Sequence, residues 1–361
     1  MKFNTSSGLL ADTLSVLNKA ISTNLIVPAM ECFCFTIKGS DCSISSNNGT
    51  AMMTKSIVIE SEIEATFMIN AKKLLPLLKS LPNQALVVEL VNGLATFKTG
   101  SGNYEMPYEP GEDFPRIRHE SKIAVKIPAD QLSIGLYKTI FNVAPADTGY
   151  PERLGVFIEG KGGKLSFAST DGNNIAAYTI QCDADGVYAI APASALKIIP
   201  ESKDVVSLSV SGNSIELTLA DGLEISIILI TGKFPNWAAV VPKDTPNVLT
   251  VSKHELLSAI KRVSIFANKQ TSAVKLEITE GVLSVSSECK DFNEAGKDTV
   301  SCDYVGEDIA IGIKGDIFCE ILSHCQSENV IIGLITPSSV ITIREEGLDE
   351  SLFLSAPIML E

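Results

Sequence analysis

One hairpin design occurs three times in this chain, and that repetition leaves few folds open. In the middle, 156–180 reads VFIEGKGGKLSFASTDGNNIAAYTI. It is a strand of alternating apolar and polar residues, a tight turn at Gly160-Lys161-Gly162-Gly163 and a returning strand. The small polar run Ser169-Thr170-Asp171-Gly172-Asn173-Asn174 follows, and then a third strand. Upstream, 33–50 repeats the design with its turn at Lys38-Gly39-Ser40-Asp41; downstream, 274–289 does so with Thr279-Glu280-Gly281. The spacing of roughly 120 residues far exceeds a solenoid repeat and matches a whole small domain. The chain reads as a triplication.

Each repeat carries two helices around its hairpin. Leu10, Leu14, Leu17 and Ile21 form one apolar stripe after Ser6-Ser7-Gly8, and Asn70 is placed to cap a helix over 71–81 that contains Pro76. The second repeat predicts helices over 130–143, with Leu132, Leu136, Ile140 and Val143 along one side, and from Pro192 to Ile199. In the third, Ser252 with Glu255 makes a capping box for a helix to Phe266, and a further helix spans 316–324. Paired strands close every repeat, and two repeats end on similar tags, Gly111-Glu112-Asp113-Phe114-Pro115 and Gly232-Lys233-Phe234-Pro235-Asn236. Domains are expected at 1–121, 122–246 and 247–361. The fold class is α+β, with antiparallel sheets and the helices gathered on one side.

The chain is 45% hydrophobic and 20% charged, which fits a folded protein, and no apolar run approaches the ~20 residues of a membrane span. Its start is polar where a signal peptide is apolar, so a cytoplasmic location is expected. The eight cysteines are scattered without CxxC pairs or zinc spacing and read as buried free thiols. His119, His254 and His324 have no nucleophile and acid set beside them, and Asp171 and Asp113 sit in turn chemistry. With no P-loop, GxGxxG or HExxH, an enzyme is not expected. Net charge is −14, which taken alone argues against nucleic acid.

The triplication, the Ser169-Thr170-Asp171-Gly172 run, Gly232-Lys233-Phe234-Pro235-Asn236 and the terminal Ala356-Pro357-Ile358-Met359-Leu360, in this order, resemble the bacterial sliding clamps, the beta subunits of DNA polymerase III. The resemblance covers essentially the whole chain. It implies the DNA clamp fold: a head-to-tail homodimer closed into a ring, with helices lining a hole around duplex DNA and sheets outside. It implies a tether for the polymerase III alpha subunit, with clamp loader and repair proteins docking through short peptides, and no cofactor, metal or membrane.

The helix charges bear on this. Lys19, Lys72, Lys73, Lys79, Lys138, Lys197, Lys261 and Arg262 lie on the predicted helices, with Lys203 and Lys314 at helix edges; the few acids fall mostly in first turns. Basic helices in an acidic chain suit a ring that attracts phosphates without reading bases. Asn24 departs from the basic residue that relatives often carry there. The resemblance places the partner cleft at Thr170, Asp171, Gly172, Asn173, Asn174 and Ile175, with Pro235, Ala239 and Val240 as a second wall. Thr271, Lys314, Ile317, Ser338 and Val340 join it from the third repeat, with Leu354, Ser355, Ala356, Pro357, Ile358, Met359 and Leu360 from the tail. Asn173-Asn174 stands where His-Arg is common, and Ala239 where Arg is. For ring closure, the resemblance sets Tyr104 and Met106 opposite Ile265 and Phe266. The competing reading is a non-enzymatic three-domain scaffold or adhesion protein that does not encircle DNA.

Overall fold

The computed structural model describes residues 1–22, 27–118, 123–146, 149–201, 204–290 and 292–360. Asn24, Lys203, His119 and the first expected domain boundary lie outside these. Six helices are described: α1 (Ser7–Leu17), α2 (Ala71–Ser80), α3 (Ala129–Thr139), α4 (Ala193–Leu196), α5 (Lys253–Ser264) and α6 (Gly315–His324). None of them is long and apolar enough to cross a membrane.

The helix ends follow from side-chain oxygens. Ser6 accepts the Leu9 N–H, Asn70 that of Lys72 and Ser252 that of Glu255, each satisfying an orphan first-turn donor. Pro76 sits within α2 at an exposed position. The helix continues through it on the strength of Ala71, Leu74, Leu75 and Leu78, a buried stripe of helical spacing. The second helix of the middle repeat is shorter than its composition predicts. It makes one turn, Ala193–Leu196, and stops well before Ile199.

The chain packs as two compact units. In the first, 1–130 with 194–230, Lys2–Ser6, Ala85–Val91, Leu94–Lys98 and Asn103–Pro107 form a four-stranded sheet in that order. A nine-stranded sheet runs Ile123–Pro128, Val205–Ser211, Ser214–Thr218, Glu224–Ile228, Ala51–Val58, Asp41–Asn47, Cys32–Lys38, Glu64–Asn70 and Glu109–Pro110. Every pairing is antiparallel, and the first hairpin turns at Gly39, whose positive φ suits a residue without Cβ. Glu224–Ile228 pairs with Ala51–Val58 in the register Glu224 to Thr54 and Ile227 to Ala51, so strands of the first and second repeats share one sheet.

The second unit, 131–193 with 231–361, holds a twelve-stranded sheet. The middle hairpin, Gly155–Lys161 and Lys164–Thr170, continues into Asn174–Gln181, which pairs with Leu348–Ser355 of the third repeat. The last hairpin, Ala273–Thr279 and Val282–Cys289, continues into the long strand Glu294–Val305. Leu256, Ala259, Ile260 and Val263 of α5 and Phe318, Ile321 and Leu322 of α6 bury against these strands in one aliphatic core. α3 lies so close to Lys164–Thr170 that a Cβ at Gly135 would fall 2.7 Å from the Phe167 ring. The two terminal tags do one job each in their units. Phe114 buries against Cys32, Cys34 and Met68, and Phe234 stacks on Phe157 at 4.8 Å.

Candidate functional site

Three surfaces carry the residues that the sequence points to. Lys72, Lys73 and Lys79 on α2 and Lys261 and Arg262 on α5 are exposed, as are Lys19 in the 3-10 turn that follows α1 and Lys197 in the turn just past α4. Lys72 is tied to Glu31 at 3.1 Å and Arg262 to Asp298 at 2.5 Å; the others make no ion pair among the described residues. Lys138 is a correction. It is 1% exposed, and its ammonium is spent on Glu345, which is equally buried, and on the His324 carbonyl at 3.3 Å. α3 buries two flanks rather than one, and the second packs on the end of α6. Tyr137 donates to the Ser323 carbonyl, and the His324 ring stacks on Phe141 at 4.0 Å. Lys138 therefore offers no charge to a phosphate.

The Glu345 carboxyl sits in this joint. Burial alone would raise its pKa, but the Lys138 ammonium and the Gln326 N–H together hold it below the ordinary carboxylate value. The cysteines behave as small hydrophobes. All eight are free, and burial pushes Cys34 up to about 11 and Cys42 up to about 12. No cluster of metal ligands occurs among the described residues.

The second surface is a pair of strand edges. Among the described residues, Asn103–Pro107 pairs only with Leu94–Lys98 and ends its sheet. Tyr104 is partly exposed on this edge. Met106 is a second correction: it faces Ala95 across the strand pair and is buried in its own unit, so it has little surface to offer another chain. In the second unit, Glu294–Ser301 pairs with Val282–Cys289, and Asn247–Ser252 joins the same strand only at Cys302–Val305. Phe266 covers the outer stretch, where a Cβ at Gly296 would fall 2.5 Å from its ring. Ile265 beside it is 74% exposed.

The third surface is the loop at 170–175 with the tail. Asp171 accepts the N–H groups of Asn173 at 2.8 Å and Asn174 at 2.7 Å, and Thr170 donates to the Asn174 carbonyl at 2.7 Å. Asn174 is a third correction, since it is buried. Its amide donates to Asp171 and accepts from the Ser355 hydroxyl at 3.1 Å, which pins the loop to the tail strand rather than lining a cleft. Leu354 and Ser355 are likewise buried behind the surface, opposite Ile175 and Asn174 in the sheet.

Beyond that strand, Ala356, Pro357 and Ile358 are half-buried, and the Ile358 N–H donates to the Gly312 carbonyl at 2.9 Å. Gly312 admits no side chain, because a Cβ there would meet the Ile358 carbonyl at 2.5 Å. This bridge brings the tail to the strand that ends at Lys314, beside Ile317 on the first turn of α6 and Thr271 near the paired Ala273. Val340 directly precedes Ile341, the partner of Ser355. Ser338 is exposed and, among the described residues, is bound only within its own turn, to Thr336. Pro235 follows Phe234, whose N–H donates to the Tyr188 hydroxyl at 3.2 Å, and Ala239 and Val240 end the 3-10 turn Trp237–Val240. Val240 and Met359 are exposed at 53% and 86%, apolar surface that the chain itself leaves bare.

Sequence reasoning missed Arg153. It ends a short 3-10 turn, Pro151–Arg153, and its guanidinium lies 4.2 Å over the Tyr150 ring. Gly172 has φ +104, and a Cβ there would fall 2.5 Å from Arg153 Nη1, so the guanidinium lies directly against the loop. The Tyr150-to-Arg153 spacing in a Pro-containing turn was the available signal.

Comparison with known proteins agrees with the geometry. The family profile for the DNA polymerase III beta subunit, N-terminal domain, matches residues 1–118, and that for its C-terminal domain matches 238–358. The chain is 22% identical to the beta sliding clamp of Pseudomonas putida over the full length of both. It is 24% identical to that of Chlamydia pneumoniae, covering 92% of this chain and 93% of the relative. The DNA polymerase sliding clamp of Pseudomonas aeruginosa superposes at TM-score 0.94 with 20% identity, and the DNA polymerase III beta subunit of Thermotoga maritima at 0.90 with 22%; each pair is covered completely. With both terminal domains matched and the clamp fold present from end to end, the chain belongs to the DNA polymerase III beta subunit family, the beta sliding clamps.

Proposed function

We propose that two copies of this chain close head to tail into a ring around duplex DNA. In this reading the ring is a non-catalytic processivity subunit in the cytoplasm that keeps a replicative polymerase on its template. The chain is taken as three repeats, 1–121, 122–246 and 247–361. The observation that carries the reading is how strands pair where repeats meet. The last strand of the second repeat, Glu224–Ile228, pairs with the third hairpin strand of the first, Ala51–Val58. The last strand of the third, Leu348–Ser355, pairs in the same way with Asn174–Gln181.

One strand of each kind is left over: Asn103–Pro107 of the first repeat and the outer edge of Glu294–Ser301 of the third. A second copy supplies the complement to both. Joining the edges also removes the unpaired backbone groups that invite aggregation. Exposed lysines on the helices then contact backbone phosphates, which carry no sequence information and so permit sliding. A scaffold or adhesion protein has no use for either feature. The polymerase alpha subunit, the clamp loader and repair proteins are assigned to the surface bounded by Ile175, Val240 and Met359, where bare apolar side chains can seat a peptide anchor.

The test is Ile265→Ala with Phe266→Asp, which puts an unpaired carboxylate beside Gly296 on the open edge. Wild type is expected to sediment as a dimer and to stay on nicked circular DNA while leaving linear DNA. The variant is expected to sediment as a monomer and to stay on neither. A variant that remains dimeric at micromolar concentration, or a wild type retained equally on linear DNA, refutes the reading.

A further inference from the structure

The two strand edges that the ring reading joins carry opposite charges. Along Asn103–Pro107 the even residues spend their backbone groups on Leu94–Lys98, since the Thr99 N–H donates to the Gly102 carbonyl and the Tyr108 N–H to the Gly93 carbonyl. Asn103, Glu105 and Pro107 therefore turn theirs outward. On Glu294–Ser301 the Cys302 N–H donates to the Gly281 carbonyl, so even residues face Val282–Cys289 and Ala295, Lys297 and Thr299 face the open edge. Side chains follow the same parity. Met106 and Val300 are buried on the core side and Asp298 bonds to Arg262, whereas Glu105 and Lys297 are exposed on the opposite face.

Antiparallel partners share a face and match outward groups with outward groups, so odd residues of one strand stand opposite odd residues of the other. One register sets Glu105 against Lys297, Asn103 against Thr299 and Pro107 against Ala295, with Met106 opposite Gly296. A shift of two residues either way puts Met106 opposite Glu294 or Asp298 and leaves Glu105 with no cation across from it. Neighbouring charges on each strand's own sheet are already engaged. Lys98, diagonal to Glu105, bonds to Glu89 at 2.6 Å, and Glu277, which feels the charge of Lys297, bonds to Lys275 at 2.6 Å.

We propose that Glu105 and the partner's Lys297 form an ion pair that fixes this register and decides which chains share a ring. The proposal rests on the ring reading above and names the residues by which one copy selects another. Opposite charges directly across an antiparallel pair attract and like charges repel. A ring of two chains has two such joints, so a clamp with the wrong charges at these positions is rejected twice.

Wild type, Glu105→Lys, Lys297→Glu and the double variant are compared as full-length chains by sedimentation equilibrium, and their mixtures by native mass spectrometry. Each single variant opposes like charges at both joints. It is expected to raise the dimer dissociation constant about tenfold per joint, about a hundredfold in all. Mixing the two singles is expected to restore association, because in a mixed ring one joint is native and the other carries the pair reversed. The double variant is expected to dimerise with itself within about threefold of wild type and to exclude wild-type chains. Raised salt should narrow these differences, as it does for exposed charges. Single variants that dimerise as wild type does overturn the proposal, and so does a mixture that associates no more tightly than either single alone. A wild type that stays monomeric at micromolar concentration refutes the ring reading itself, and the proposal with it.

Discussion

Removing Lys138 tests whether the α3–α6 joint is an ionic lock. Lys138→Met keeps the length of the side chain and deletes its charge, leaving Glu345 in a site that is closed to solvent. Breaking a buried pair from one side typically costs about 3–5 kcal/mol. Glu345 keeps the Ser327 N–H at 3.0 Å and that of Gln326, so the lower end, about 3 kcal/mol, is expected. Lys138→Met with Glu345→Gln removes the stranded charge yet preserves an acceptor for both N–H groups. The double variant is expected to be more stable than the sum of the singles by about 2 kcal/mol.

The pH dependence carries the sign. The folded carboxyl is held below its ordinary value of 4.5, so its stabilisation is complete above that pH and is lost as pH falls through the folded pKa. With Lys138 gone, burial is opposed by the Gln326 and Ser327 N–H donors and the Ser351 hydroxyl but by no charge, so the folded pKa rises and mild acidification should now stabilise the variant. Urea unfolding of wild type, both singles and the double, followed from pH 7 to about pH 4, measures all of this. A Lys138→Met cost under about 1 kcal/mol, or a coupling near zero, refutes the argument.

Two further outcomes are expected. Reversing Lys73, Lys79 and Lys197 to Glu should weaken retention on circular DNA and lower the slope of log affinity against log salt by about 3, roughly 0.9 for each phosphate no longer neutralised; an unchanged slope in a filter-binding titration removes these lysines from the interface. Deleting 357–361 takes away Met359 and Leu360 and the Ile358 bridge to Gly312. It should abolish peptide binding by anisotropy while sedimentation still gives the wild-type oligomer, and a truncated protein that binds peptide as before excludes the tail from the cleft.

Much of the fold was legible because its signals are local. Hairpin turns at Gly39, Gly162-Gly163 and Gly281 need the positive φ that glycine supplies, and alternation along Val282–Cys289 fixes which face that strand buries. Ser6, Asn70 and Ser252 announce their helices by side-chain oxygens. What escaped depends on distant partners. A lysine on a helix reads as solvated surface, and Lys138 is buried only because Glu345 waits 207 residues further on. Asn174 looked like a cleft residue by position but is claimed by Ser355, and Arg153 becomes notable only beside Gly172. Short-range pattern locates the elements; charge burial and side-chain satisfaction need the assembled neighbours.

The strand pairing between repeats has a consequence for assembly kinetics. Every repeat offers one donor edge and one acceptor edge, a heterologous contact that can grow without limit unless its angle closes a circle. Tethering three repeats in one polypeptide makes two of the contacts intramolecular, at an effective concentration of about millimolar or above. In the proposed ring, only the contact between chains answers to bulk concentration. On dilution such an assembly parts at the untethered contact and leaves Glu224–Ile228 and Leu348–Ser355 zipped to their neighbours. A substitution that tilts that same contact without weakening it would trade closed circles for open filaments, a change visible by light scattering long before any loss of folding.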